Sequence, residues 1–516
     1  MLRRRKLLLL VVALPCGAIL LSVARHFQLR HAVEEYRAEL KVRGELTDFA
    51  QIVPPEISAQ ENGAENFLRA TALREADSSL LKTNLFGGMK GVAPGKALVC
   101  WQQPEVRDYD ATNSWIQVHS ALQTNREALE LIRKAATARG IQFPIAYQRG
   151  VTELGYTNLH LAEFKCSAQY LGVAAMDDLR CSDAAAAITN LHAMLALAKP
   201  LQDQRLVISE LVRIAITHIA ATITWELLQS TNVTDAQLAL IQTDWKDLDF
   251  INGYRDALAM ERVGGEIALQ KWRDSNSGLL NYLDQGRKAR QNMGWEEADL
   301  SRFEMAKLKV KLFLWRNWWS YPDELRSLKG HAALVEAIRV TETNGAFNVA
   351  MEAQSERLEK LGILKLDNPL ETMFSGEIDF HSMFSQSIVS LSGVLRRVMT
   401  VEAARQMVVT AIALKRHQLK HRSFPERLAD LAPEFLATVP TDPVDGQPLR
   451  YRKDVDRTFL LYSVGENAKD DGGDPKNQPG HETSSYYWLG HSALDWVWPQ
   501  PASAEEISTY YEHPPK

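Results

Sequence analysis

Paired cysteines, a basic excess and the glycine motifs of nucleotide-handling enzymes are all missing from this chain. Four cysteines occur in 516 residues, and none forms a C-x-x-C pair, which removes the zinc-ribbon and thioredoxin patterns. Cys16 lies in an apolar run, which leaves Cys100, Cys166 and Cys181 in the body. Three thiols allow at most one internal pair. Cys166 with Cys181 across a helical hairpin is one expectation, and free or buried thiols are the plainer one. Lys and Arg number 59 against 64 Asp and Glu, a formal net charge of −5. A nucleic-acid partner, which calls for a strong basic surplus, is therefore not expected. No Gly-x-Ser-x-Gly elbow, P-loop or dinucleotide fingerprint occurs. Strand-like alternation is nearly absent between residues 58 and 391.

What is present begins at the N-terminus. Arg3-Arg4-Arg5-Lys6 precedes an uncharged run, 7–24, about 27 Å long as a helix and close to the thickness of a bilayer core. The basic cluster should stay in the cytoplasm and place everything after Arg25 on the far side. An uncleaved anchor is expected, with a cleaved signal peptide as its rival, for which Ala18 and Ser22-Val23-Ala24 are poor cues. A second apolar stretch, 206–228, contains Glu210, Arg213 and Glu226. Charges at mid-span are expensive in lipid, so this stretch reads as a buried helix of a soluble body.

The fold class expected is mainly α. Residues 1–24 form the basic cluster and transmembrane helix, and 25–57 a helical stalk and linker that Gly44 and Pro54-Pro55 punctuate. Residues 58–391 form a large all-α bundle or array, 392–500 a small α+β module, and 501–516 a tail. Helical spacing predicts helices over 111–139, 158–171, 254–272, 302–318 and 331–344. A helix over 183–198 should start behind Ser182 as N-cap and stop before Pro200. Thr234 with Gln237 has capping-box spacing and opens another.

The C-terminal region carries the densest pattern. A helix over 395–419 ends before Phe424-Pro425, and Val439-Pro440-Thr441-Asp442-Pro443 makes a turn. Strands are predicted over 449–453 and 458–463. Tyr462-Ser463-Val464-Gly465 ends the second strand, Asp470-Asp471-Gly472-Gly473 forms a loop, and Asp495 lies close to Trp498. Over about 401–498 this pattern resembles the C-terminal half of the major pseudopilins of type II secretion. In that family the loop after the last strands holds calcium. The resemblance implies Asp470, Asp471, Asp474 and Asp495 as calcium ligands here, assisted by Asn467 or loop carbonyls, for an ion that takes about six to eight oxygens. The Phe-Thr-Leu-x-Glu-like processing motif of that family has no counterpart near Leu7, so a working pilin subunit is not expected. The same ending resembles those of large membrane-anchored proteins from planctomycete and verrucomicrobial bacteria. That implies a bacterial envelope setting, and with the N-terminal anchor the expected place is the inner membrane with the bulk of the chain on the periplasmic side.

Other constellations point to structure. His417 and His421 share a helix spacing that suits a metal, but Lys415, Arg416, Lys420 and Arg422 surround them and would repel a cation. His160 with Glu163, and His218 with Glu226, lack a metalloprotease context and read as core or capping groups. Trp315, Trp318, Trp319 and Tyr321 form a cluster that either packs between helices or lines a groove for a ligand or partner. The function expected is that of a tethered, non-enzymatic envelope protein with protein partners. One alternative is a hydrolase-type enzyme using carboxylates such as Glu163, Glu210 and Glu261 in apolar helices. The other is a secretion-associated assembly component.

Overall fold

Side chains that answer the orphan N–H groups of the first turn set many helix starts in this protein. Ser114 with Gln117, Thr234 with Gln237, Ser301 with Glu304 and Ser503 with Glu506 all form reciprocal capping boxes. Gly345 and Arg422 end helices in the left-handed conformation. The computed structural model describes residues 2–75, 86, 88–107, 112–147, 159–275, 278, 280, 284, 301–363, 381–382, 384–454, 458–480, 488–490 and 492–513, with only the backbone described at 2–20, 22, 75 and 344.

Helix α1 (Leu2–Val42) runs unbroken for 41 residues. It is followed by α2 (Phe49–Ile52), α3 (Ala64–Glu75), strands β1 (Gly91–Ala93), β2 (Lys96–Ala97), β3 (Glu105–Arg107) and β4 (Thr112–Ser114), and helices α4 (Trp115–Thr124) and α5 (Arg126–Ala136). Then come α6 (Leu161–Arg180), α7 (Ala184–Ala196), α8 (Ala198–Asp203), α9 (Val207–Leu228), α10 (Asp235–Lys246) and α11 (Phe250–Asp274). α12 (Arg302–Leu314) passes through a wide π turn at Trp315–Trp319 into α13 (Ser320–Asn344), then α14 (Phe347–Lys360) and α15 (Ser387–His421). The chain closes with β5 (Arg450–Lys453), β6 (Phe459–Ser463), β7 (Trp496–Val497), β8 (Gln500–Pro501) and α16 (Ala504–Glu512). The protein is mainly helical.

α9 sits at the centre. It is apolar nearly all round, the mark of a helix surrounded by others. Among the described residues it is the helix long and apolar enough to cross a membrane, and 72% of that stretch is buried inside the protein. The run 7–24 lies in α1, and the side chains of 2–20 and 22 lie outside the described residues. One continuous core extends from Phe67 through α6, α7, α9 and α15 to Trp496 and Trp498. α15 packs on α9 and α10 and also on β6, so the helix expected to open the terminal module is also a wall of the helical core.

The second half of α1 docks on the body. Val33 and Leu40 are buried against Leu328 of α13. Arg37 reaches Glu266 at 2.8 Å and also Glu324. Just beyond the helix, Glu45 pairs with Arg262 and Arg339.

Several expectations need correction. Short strands occur inside the region expected to be all-α, and β2 pairs in parallel with β8, Lys96 opposite Gln500. The hairpins are too short to show alternation. α6 continues to Arg180, so Cys166 and Cys181 lie near opposite ends of one helix, about 22 Å apart along its axis. That is beyond disulfide reach, and Cys100, Cys166 and Cys181 are all free thiols. Asp183, not Ser182, caps α7, while Ser182 takes a left-handed φ of 62° in the tight α6–α7 turn. Pro200 lies in the first turn of α8 rather than beyond a helix end. α13 begins at Ser320, well before residue 331, and α14 had no sequence expectation.

Candidate functional site

The terminal module is organised around two buried carboxylates. Asp442, in the Val-Pro-Thr-Asp-Pro turn, accepts hydrogen bonds from the backbone of Val444 at 3.0 Å and of Val464 at 2.9 Å, from Ser463 Oγ at 2.8 Å and from Arg450 Nη1 at 3.1 Å. The two motifs noted in the sequence are therefore two sides of one contact. Gly465 follows directly with φ +64°, and a Cβ there would lie 2.8 Å from the Leu494 carbonyl. Only glycine suits that close approach.

The four aspartates expected to hold calcium share one region, and each has its own protein partner. Asp495 is buried and accepts from the amides of Gly473 at 2.8 Å, Asp474 at 3.1 Å and, more weakly, Asp471 at 3.5 Å. Gly472 and Gly473 both have positive φ, which turns successive N–H groups inward as an anion-binding nest. The acidic loop thus wraps a carboxylate with its backbone. Burial pushes the Asp495 carboxyl up to about 6, and the amides act the other way. Asp470 accepts from the Gly472 amide, from Tyr462 Oη at 2.9 Å and from Arg450. The Gly472 amide leads in holding its carboxyl below the usual range. Asp471 accepts from Asn467 Nδ2, and Asp474 from the amide of Lys476. A calcium ion at this loop has to compete with Arg450 and with the nest.

Asp495 also lines a cleft between the β1–β2 hairpin and the loop, together with Met89, Lys96, Asn477 and Trp488. Its volume is about 20 Å³, room for a water molecule rather than a substrate.

In the helical body the carboxylates of α9 are held singly. Glu210 forms a fully buried ion pair with Arg213 at 2.7 Å, and Arg213 lies over the Phe250 ring. Glu226 accepts from the Cys100 amide at 3.0 Å, and burial pushes its carboxyl up to about 8. Glu163 lies 3.9 Å from His160, and Glu261 accepts from the Val207 amide at the start of α9. Glu163, Glu210 and Glu261 thus face three different partners, His160, Arg213 and the Val207 amide. His218 is a half-buried imidazole with its Nε2 out of water, and burial pushes it down to about 4, a neutral group at the edge of the core. His417 and His421 lie against each other with ring centroids 4.4 Å apart, and both meet the Phe435 ring edge-on.

One grouping escaped the sequence reading. Among the described residues, His119, Asp177 and Cys181 form the trio of metal-capable side chains with ligand atoms within 4.8 Å of one another. His119 Nδ1 is 2.7 Å from Asp177 Oδ2. Asp177 and Cys181 lie one turn apart at the end of α6, and His119 comes from α4, so no local motif announces them. Imidazole, carboxylate and thiol together suit a zinc-like cation. As a nucleophile Cys181 is poorly placed. Loss of water contact first, and Asp177 and Asp178 next, push its thiol up, opposite to an activated cysteine.

No family model, curated protein or solved structure matches this chain.

Proposed function

We propose that this protein is a single-pass, membrane-tethered bacterial envelope protein that works by binding. Its helical body is held on the periplasmic side, and the terminal module, of pseudopilin-like design, completes that body. The observation that carries the reading is α1. The helix that contains the apolar run also supplies Val33, Arg37 and Leu40 to the body. Past its end, Gly44 is the first residue with a left-handed backbone. Anchor and body are thereby joined by a rod rather than a flexible linker. Binding is favoured over catalysis by the placement of buried carboxylates. Glu210, Glu226, Asp323, Asp442 and Asp495 each accept from a protein donor, an arrangement that builds structure.

The test has two parts. In fractionated cells the full chain should resist carbonate extraction from membranes, and a chain lacking residues 1–24 should be extracted. In spheroplasts, exposed Cys181 should react with a membrane-impermeant maleimide added outside, with Cys181→Ser as control. Release of the full chain by carbonate, or labelling only after lysis, would sink the proposal.

A further inference from the structure

α12 is apolar on two opposite faces. Leu308 and Leu312, with Trp315 just beyond, pack on Leu269 and Trp272 of α11. The other face carries Phe303, Val310 and Phe313 at helical spacing, and these are 79%, 58% and 58% exposed. Trp318 follows in the π turn, 42% exposed, its ring edge-on to Phe313 at 6.0 Å. Arg302, Lys307 and Lys309 are exposed along the same helix. On a helical projection they fall beside the outer stripe and away from the packed face.

The position of this stripe identifies its occupant. At its C-terminal end the Asn317 carbonyl lies 3.1 Å from His26 Nδ1, and Tyr321 meets the His26 ring edge-on at 4.9 Å. His26 is two residues past the apolar run. α12 therefore adjoins the point where the proposed anchor leaves the bilayer. A protein-binding face is depleted in lysine at its core. Exposed Phe and Trp flanked by Lys and Arg match a helix at the lipid interface, where aromatic rings sit at headgroup depth and long cationic side chains reach anionic groups.

We propose that the outer face of α12 is a lipid-binding surface that rests in the bilayer interface beside the anchor, with Arg302, Lys307 and Lys309 against anionic headgroups. The proposal rests on the tether reading. It makes the body a two-point membrane protein, held by a span and by a fixed interfacial helix, and it sets the orientation of the body on the membrane.

The test uses the full chain in vesicles containing phosphatidylglycerol and a lipid-borne photocrosslinker, with adducts mapped by peptide mass spectrometry. Adducts on both 7–24 and 302–319 are expected. Phe303→Ser with Phe313→Ser should remove those on 302–319 and leave those on 7–24. Because both side chains are exposed, folding should survive. Lys307→Glu with Lys309→Glu should lower the 302–319 adducts roughly fivefold or more, the scale of one lost lysine–headgroup contact, and should have no such effect in phosphatidylcholine vesicles. Adducts confined to 7–24 overturn the inference and leave the tether standing. A chain without adducts on 7–24 overturns the tether itself. Adducts on 302–319 that survive both double variants also overturn the assigned surface.

Discussion

Asp442 and Asp495 hold the terminal module by one device, a buried carboxylate receiving backbone amides from a distant segment. Asp495→Asn keeps one acceptor oxygen and turns an NH₂ toward N–H donors. Urea unfolding should show a loss of about 2–3 kcal/mol, the range for charged hydrogen bonds left unmade. A loss below about 0.5 kcal/mol would mean that water satisfies the loop equally well. Glu226 gives a pH signature. Its folded carboxyl is raised to about 8 by burial, while an unfolded glutamate ionises near about 4.3. Between those values the folded state holds the extra proton, so this group's contribution to stability falls as pH rises. Glu226→Gln carries no such proton. Its melting temperature should vary less from about pH 5 to about pH 8 and exceed the parent's at the upper end. Equal slopes in the two proteins would refute the assignment.

At the scale of elements, the α9 ion pair is the sharpest test. Glu210 and Arg213 are both buried, and Gly253 of α11 sits so close that a Cβ would lie 2.6 Å from Arg213 Nη1. Arg213→Met leaves Glu210 without its counter-charge and should cost about 3–5 kcal/mol, whereas Glu210→Leu combined with Arg213→Met should recover most of it. If the double variant is no better than the single one, packing rather than charge dominates. The same helix shows what was legible in advance. Its buried place followed from charges that lipid would not tolerate, and the start of α10 followed from Thr234 and Gln237. Hairpins with strands of two and three residues were not legible, because so few residues show no alternation, and the partner of β2 in β8 lies about four hundred residues away. The inward turn of Asp495 was hidden for a related reason. Acidic residues around glycines do not disclose which way the N–H groups turn, and the backbone angles at Gly472 and Gly473 turn them toward Asp495. His119 and Asp177 lie on separate helices, and no local spacing relates them.

At the scale of the molecule, the two halves of α1 can be separated. Removing residues 1–24 leaves Val33, Arg37 and Leu40 in place, so thermal stability of the shortened chain should match that of the full chain. Removing residues 1–42 uncovers Leu328 and strips Glu266 and Glu324 of Arg37. That deletion should lower stability by about 3 kcal/mol or more, from two buried apolar side chains alone. Similar unfolding curves for the two deletions would show that α1 merely leans on the body. The parallel pairing of β2 with β8, and the Trp225 Nε1 bond to the Pro499 carbonyl, carry a consequence for biogenesis. Gln500 and Pro501 complete a sheet whose first strands leave the ribosome about four hundred residues earlier. Closure of the body must therefore wait until β8 has been made, long after α1 has emerged. A nascent chain halted before Pro499 would be open along that seam, a ready target for quality-control proteases.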